Sequence, residues 1–233
     1  ALTGSKPTFQ QQQLRLNKLT ALFYATEELL SDQTALASLV QRIVPEEIGF
    51  KVEDAIVNGT GAGQPAGFTN SAALVTQAKT SGQTADTITA ANVQAMWARM
   101  PGRNRANSVW LINQDAEPSL AAATVGDTPV YLPPLGLTDT PYSRLFNRPV
   151  LPVEYAATLG DVNDIMLVDL SQYQMIDKGG VRSDSSISVR FLYDETTFRW
   201  LYRCDGQSMW SSAITPYKGS STTSPFITLA ARA

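Results

Sequence analysis

Apolar positions change their spacing several times along the chain, and each change marks a different element. Residues 1–17 are polar and Gln-rich, and Thr8–Leu16 (TFQQQQLRL) alternates weakly, which predicts an exposed hairpin arm. Asn17–Tyr24 (NKLTALFY) predicts a strand entering the core. Ser31 and Asp32 form an N-cap pair ahead of an apolar run. From there to Val57, the residues Leu36, Leu39, Val40, Ile43, Val44, Ile48, Val52, Ala55 and Ile56 recur every three or four positions and keep to one helical face. A helix over residues 32–57, at about 1.5 Å per residue, is roughly 38 Å long. Pro45 lies in its middle, removes one backbone bond and is expected to kink it. Glu46, Glu47, Lys51, Glu53 and Asp54 fall mostly off the stripe and read as a solvated face.

The helix must stop at Asn58–Phe68 (NGTGAGQPAGF), a stretch with four glycines. Such a loop can cradle a phosphate or act as a hinge. A phosphate loop follows a strand and opens a helix, so that free N–H groups face the anion. Here the loop follows a helix, and Gly59 falls where a helix-ending glycine is preferred. The spacing fails as well, because Gln64 and Ala66 stand where the two phosphate-loop patterns need glycine. The hinge reading is therefore preferred for Asn58, Gly59, Gly61, Gly63, Pro65 and Gly67.

Further on, residues 84–100 predict a second helix capped at Thr89, with Val93, Met96, Trp97 and Met100 on its apolar face. The segment 68–84 between the loop and this helix reads as irregular. Ser108–Asn113 (SVWLIN) is a short buried strand, and Gln114–Ala123 a short helix with Pro118 in its first turns. Tyr131–Leu135 and Asn147–Val153 are proline-punctuated. Asp164–Val168 is a strand. Ser186–Tyr193 and Thr197–Cys204 alternate and predict a long antiparallel hairpin with one wet face. Residues 225–230 offer a last strand, and no internal repeat is present.

Composition narrows the chemistry. A chain of 233 residues suits one large domain or two intertwined ones. Its 43% apolar and 17% charged residues describe an ordinary globular chain. There is no histidine, which removes the usual general base near neutral pH and the commonest metal ligand. The single cysteine, Cys204, excludes an internal disulfide and a cysteine zinc site, and without an activating histidine it is a poor nucleophile. The net charge of −3 gives no basic excess for nucleic acid. The nearest approach is Arg99–Arg105 (RMPGRNR), which reads as a solvated turn or subunit contact ahead of a nucleic-acid contact. No apolar run is long enough to span a membrane. ALTGSKPTFQ is no signal peptide, and its lack of Met leads us to expect that an N-terminal part precedes it.

The order of a polar arm, a long helix ending in NGTGAGQPAGF, a mixed middle section, a long hairpin and a short tail resembles the major capsid proteins of tailed bacteriophages, the family with the Hong Kong 97 fold. The match is carried by EELLSDQTALASLVQRIVPEEIGFKVEDAIVNGTGAGQPAGF at 27–68, SVWLIN at 108–113, DTPVYLPP at 127–134, NRPVLPVEYAATLGD at 147–161, VDLSQYQMIDKGG at 168–180 and FRWLYRCDGQSMWSSAITPYKG at 198–219. The ordered set is specific, although no single motif is a chemical signature.

The resemblance implies an α+β fold with a long spine helix, a peripheral long-hairpin sheet, an axial mixed α/β domain and an extended loop. Residues 1–17 would be the second half of the extended-loop arm, and Lys6, Phe9 and Arg15 would be its contacts to a neighbouring subunit. Residues 18–72 and 181–207 would form the peripheral domain, and 73–180 and 208–233 the axial one. The glycine stretch would join the two. Some family members fasten subunits by a Lys-to-Asn isopeptide bond. Lys6 sits where that Lys would be, but Asp194–Thr197 carries no Asn, so no such cross-link is expected.

The function implied is a structural major capsid protein of a tailed phage or prophage, self-assembling into an icosahedral shell around double-stranded DNA. It would act in the virion after assembly in the host cytoplasm, with no catalytic residue, cofactor or metal. Its partners would be itself, in pentamers and hexamers, with scaffold, portal or decoration proteins and packaged DNA contacted without sequence specificity. A negative chain fits an inner wall that does not hold DNA tightly. The alternatives are an encapsulin-like compartment shell and a nucleotide-binding enzyme using residues 58–68.

Overall fold

A computed structural model of the chain describes residues 11–32, 34–125, 128–129, 131 and 143–232. Strand β1 (Asn17–Thr26) runs into helix α1 (Glu27–Asp32), and helix α2 follows over Thr34–Asn58. Strand β2 (Val75–Gln77), helix α3 (Ala90–Arg99), strand β3 (Val109–Ile112) and helix α4 (Glu117–Ala121) come next. Strands β4 (Thr124–Val125) and β5 (Thr128–Pro129) pair as a small ribbon. The rest are β6 (Arg144–Leu145), β7 (Arg148–Pro152), β8 (Ile165–Val168), β9 (Tyr173–Asp177), β10 (Arg182–Arg190), β11 (Glu195–Ser208) and β12 (Phe226–Leu229).

Two sheets organise the chain. In the first, β11 is central. It pairs antiparallel with β1 from Asn17↔Cys204 to Thr26↔Glu195, and with β10 on its other side. Its last residues, Cys204–Ser208, pair with β9. The burial of β1 alternates along its length, as a strand with one wet face requires. The predicted hairpin is therefore present, but its arms are shifted: β10 starts at Arg182 and ends at Arg190, and Phe191–Tyr193, expected as strand, form a 3-10 turn that leads to the left-handed Asp194.

The second sheet has the order β2-β12-β8-β3-β7-β6 and is mixed. Its central strands read VWLI, IMLV and FITL, nearly unbroken apolar runs, because both faces are covered. The period of two sorts them. Trp110, Ile112, Ile165, Leu167, Ile227 and Leu229 pack with Val93 and Met96 of α3 and with Met100 just after it. Leu111, Met166, Val168 and Phe226 face the other way, onto Val57 at the end of α2 and onto Phe68.

Three expectations are corrected. The helical run begins at Glu27, not at a Ser31-Asp32 cap. Thr26 Oγ1 accepts the Leu29 backbone N–H at 3.4 Å, and Glu27 and Glu28 suit the first turn of a helix. The second helix begins at Ala90 rather than residue 84, because Thr89 is its cap, accepting from the Asn92 N–H. Strand β2 lies where an irregular stretch was expected. It is three residues long and held by parallel pairing to β12, so local alternation could not reveal it. Pro45 lies inside α2, and the helix continues to Asn58.

Candidate functional site

The glycine stretch closes on itself and on three other parts of the chain. Gly59 N–H still bonds Ala55 O at 2.9 Å, which ends α2. The chain then turns back, with Gly61 N–H on Pro65 O at 3.3 Å and Gly67 N–H on Gly59 O at 2.8 Å. Thr60 and Ala66 form an isolated antiparallel bridge. Gly61 and Gly63 both sit at φ +76°, a conformation that side chains disfavour.

The end of a helix leaves carbonyls without partners, and this one is capped from beyond the loop. Thr69 Oγ1 donates to Val57 O at 2.5 Å. Asn70 Nδ2 donates to both Asn58 O and Gly59 O at 3.0 Å. Asn58 Nδ2 in turn donates to Asp54 Oδ1 at 2.9 Å and Tyr155 O at 2.8 Å, tying α2 to the segment after β7. Phe68 is fully buried and stacks on Phe226 at 5.3 Å between centroids.

The third tie is to the other sheet. Ala66 N–H donates to Gly206 O of β11 at 2.8 Å, and Tyr173 OH of β9 donates to Ala66 O at 3.0 Å. Burial, with help from Asp205 and Cys204, pushes the Tyr173 phenol far up, so it stays a donor. Gly206 is needed there, because a Cβ would lie 2.7 Å from the Tyr173 ring. The stretch thus joins α2, the six-stranded sheet and β11. Asn58, Gly59, Gly61, Pro65 and Gly67 meet in that joint, while Gly63 stands at its open tip.

This geometry argues against the phosphate reading. The N–H groups of Gly59, Gly61, Ala66 and Gly67 are all spent on protein carbonyls, and the helix end that faces the loop is its negative one. Nearby, a cavity of about 250 Å³ is walled by Lys18, Lys51, Asp54, Asn58, Gln64 and Cys204. Burial raises the Cys204 thiol above its usual range, and Asp205 and Asp177 raise it further. Its thiolate is therefore scarce near neutral pH. We expect Cys204 in the native chain to react with a thiol reagent at pH 8 more than roughly tenfold slower than in denaturant. Equal rates would show an open, activated thiol.

Lys6 and Phe9 lie outside the described residues. Arg15 is described: its backbone N–H bonds Asp205 Oδ2 at 2.6 Å and its guanidinium reaches Gln13. Gln12 Nε2 adds a bond to Ser208 O at 3.0 Å, so residues 12–15 run beside the end of β11. Among the described residues no group of His, Cys, Asp or Glu could hold a metal ion, and no helix is long and apolar enough to cross a membrane.

One exposed apolar group was not singled out in the sequence. At the end of β10 and in the turn that leads to β11, Ile187, Val189, Phe191, Leu192 and Tyr193 are 57, 66, 76, 93 and 71% exposed. A register shift between Ser186 and Arg190 and the left-handed Asp194 (φ 52°) shape this tip. Alternation marked these residues as strand, and only the absence of a covering layer makes them a surface.

The Phage capsid family matches residues 1–219. No curated protein matches the chain. Among solved structures, the capsid of an empty GTA particle computed with C5 symmetry is similar at TM-score 0.67 and 16% identity, covering 94% of this chain and 73% of that one. Mycobacterium phage Adephagia gives 0.62 and 12%, covering 93% and 72%. The holo-SrpI encapsulin complex from Synechococcus elongatus gives 0.61 and 14%, covering 92% and 73%. These likenesses agree with the α+β capsid fold built above from a long helix, a long hairpin and a mixed sheet. With an uncovered apolar tip and a family match over nearly its whole length, the chain belongs to the phage capsid family and is a structural major capsid protein.

Proposed function

We propose that copies of this chain close into an icosahedral shell of pentamers and hexamers around double-stranded DNA, in the virion of a tailed phage or prophage, after assembly in the host cytoplasm. The observation that carries this reading is the bare apolar tip at 187–193. A contiguous apolar surface of this kind on a single chain marks a protein contact. Leu22 and Tyr24 on β1 extend the exposed apolar surface of the same sheet, and Leu39 and Ile43 leave the stripe of α2 partly uncovered. A closed shell repeats one set of contacts many times, so each copy must carry both halves of every contact.

In this reading the four-stranded sheet with α2 is the peripheral domain and the six-stranded sheet the axial one. β9 crosses between them, since it follows β8 of one sheet and pairs with β11 of the other. The glycine joint sets their angle, and Pro45 bends the spine helix along the shell. Lys6, Phe9 and Arg15 would lie on the arm that reaches a neighbour. Scaffold and portal proteins would be further partners.

The test is the double variant Phe191→Ser/Leu192→Ser. Both side chains are exposed, so the folded chain should lose no more than about 0.5 kcal/mol. Light scattering and negative-stain electron microscopy should show shells or rings from the parent and none from the variant. A variant that assembles as the parent does would refute the tip as a contact. An encapsulin-like compartment is a second reading, favoured by the likeness to the encapsulin at TM-score 0.61. Nucleic acid inside purified particles would support the first reading, and a cargo protein the second.

A further inference from the structure

Two segments far apart in sequence bring arginines together without any acid. Residues 90–113 hold Arg99, Arg103 and Arg105, residues 140–153 hold Arg144 and Arg148, and neither segment contains Asp or Glu. In the structure, Arg148 Nη1 donates to Arg105 O at 3.3 Å and to Ala106 O, which draws the turn between β6 and β7 against the loop after α3. The Arg105 guanidinium lies over the Trp97 ring at 5.0 Å, and Trp97 stacks on Phe146 at 5.3 Å. Arg144 Nη1 donates to Asn147 Oδ1 at 3.2 Å on the same turn. Arg103 lies in the same loop, over Trp210 at 5.2 Å.

None of these arginines is ion-paired among the described residues, where the pairs are Arg190–Glu195, Arg199–Asp184 and Arg232–Asp164. Asn104 of this loop donates to the carboxylate of Asp169, which is buried and also accepts from Ser171. Phe146 and Asn147 are both left-handed, at φ 50° and 60°, which a bulky residue such as Phe adopts only under constraint. The turn thus holds a half-exposed aromatic ring in a costly conformation at the centre of a cationic face.

Arg105 spends Nε and Nη2 on the carbonyls of Met100 and Trp97, and Arg148 spends Nε and Nη1 on those of Asn147, Arg105 and Ala106, which fixes each guanidinium and leaves one of its nitrogens for a ligand, while Arg144 is exposed. With no ion pair to these arginines among the described residues, the remaining N–H groups suit phosphate oxygens. We propose that Arg105, Arg144 and Arg148 form a sequence-independent contact to the phosphate backbone of duplex DNA. The inference rests on the shell reading above, which places such DNA inside. Three contacts make a weak, salt-sensitive hold, compatible with DNA that must still enter and leave. With a slope of about −0.9 per phosphate, affinity should fall roughly 40-fold between 50 and 200 mM salt.

The test uses the full chain and a random-sequence duplex of about 25 base pairs, read by fluorescence anisotropy across salt concentrations. Light scattering of the same samples reports assembly. The parent should bind at low salt. Arg105→Gln/Arg144→Gln/Arg148→Gln should lose most of that binding and flatten the salt dependence, while the matching triple Lys variant should keep it. Since Arg105 and Arg148 also hold the loop, Arg144→Gln alone provides a second variant, expected to reduce the slope by about 0.9. No binding by the parent, or Gln variants that bind as the parent does, would overturn the proposal. So would a triple Gln variant that keeps DNA binding but loses assembly, since the face would then join copies of the chain. A parent that binds DNA and forms no shell would count against the shell reading and leave this contact standing.

Discussion

Arg232→Met should lower the stability of the unassembled chain by about 3–5 kcal/mol, the usual cost of stranding one partner of a buried ion pair. Arg232 and Asp164 are both fully buried and bonded to each other. Asp164 also accepts the N–H groups of Gly160 at 3.1 Å and Ile165 at 2.8 Å, which fixes the start of β8. The backbone of Arg232 bonds Gly160 O through its N–H at 2.7 Å and receives the Asp86 N–H on its carbonyl at 3.3 Å. The pair therefore pins the stretch after β12 to the centre of the six-stranded sheet. Burial lowers the affinity of Arg232 for its proton and Asp86 opposes this, so the guanidinium remains charged at neutral pH.

Without it, the Asp164 carboxylate would face apolar surroundings alone. For a chain of this size the loss corresponds to a melting temperature lower by roughly 10 °C. Adding Asp164→Asn to Arg232→Met should restore part of the loss, because the amide oxygen can still accept while the stranded charge is gone. Thermal melts of the parent, each single variant and the double variant decide the matter. A shift below about 2 °C for Arg232→Met would mean that water or a neighbouring group replaces the guanidinium.

The sequence could not show that pair, and the reason separates what was legible from what was not. Val52, Ala55 and Ile56 announced α2 because a helix writes its buried face at a spacing of three and four. The runs SVWLIN and DIMLV announced strands, and the structure covers both faces of each. These signals are local. Arg232 and Asp164 are 68 residues apart, and nothing near either one requires the other. The cap of α2 by Asn70 follows the same rule, since the amide reaches back across the whole glycine loop. The end of α2 at this loop was legible from Asn58-Gly59. The loop's closure through Tyr173 and Gly206 was not, because those residues come from strands more than a hundred positions later. The arginine cluster was half legible: RMPGRNR was visible, but Arg144 and Arg148 join it only through folding.

Gly67→Ala should cost about 3 kcal/mol or more, and Gly59→Ala as much, while Gly63→Ala should cost only about 1–2. The difference follows from what a new methyl group would meet. At Gly67 it would lie 2.3 Å from Val57 O and 2.6 Å from Gly59 N. At Gly59 it would lie 2.2 Å from Pro65 O and 2.3 Å from Ala55 O. All four atoms are backbone, so no side chain can swing away, and the turn that returns the chain from α2 must open. Gly63 has its φ of +76° but open space around it, so an alanine there suffers only its own strain.

The joint also predicts how the damage spreads. Opening it pulls Ala66 from Gly206 O and from the Tyr173 hydroxyl, so the tie to β11 should loosen together with the end of α2. Hydrogen exchange should therefore show faster exchange at Ala66 and at residues 55–59 in Gly67→Ala, with β3 and β8 in the core little changed. Equal costs at all three glycines would show that the close backbone approaches at Gly59 and Gly67 relax by small shifts and do not govern this stretch. A cost confined to Gly59 and Gly67 would make the stretch a fixed joint, so that any change of angle between the two sheets must come from bending elsewhere, and α2 at Pro45 is the first place to look.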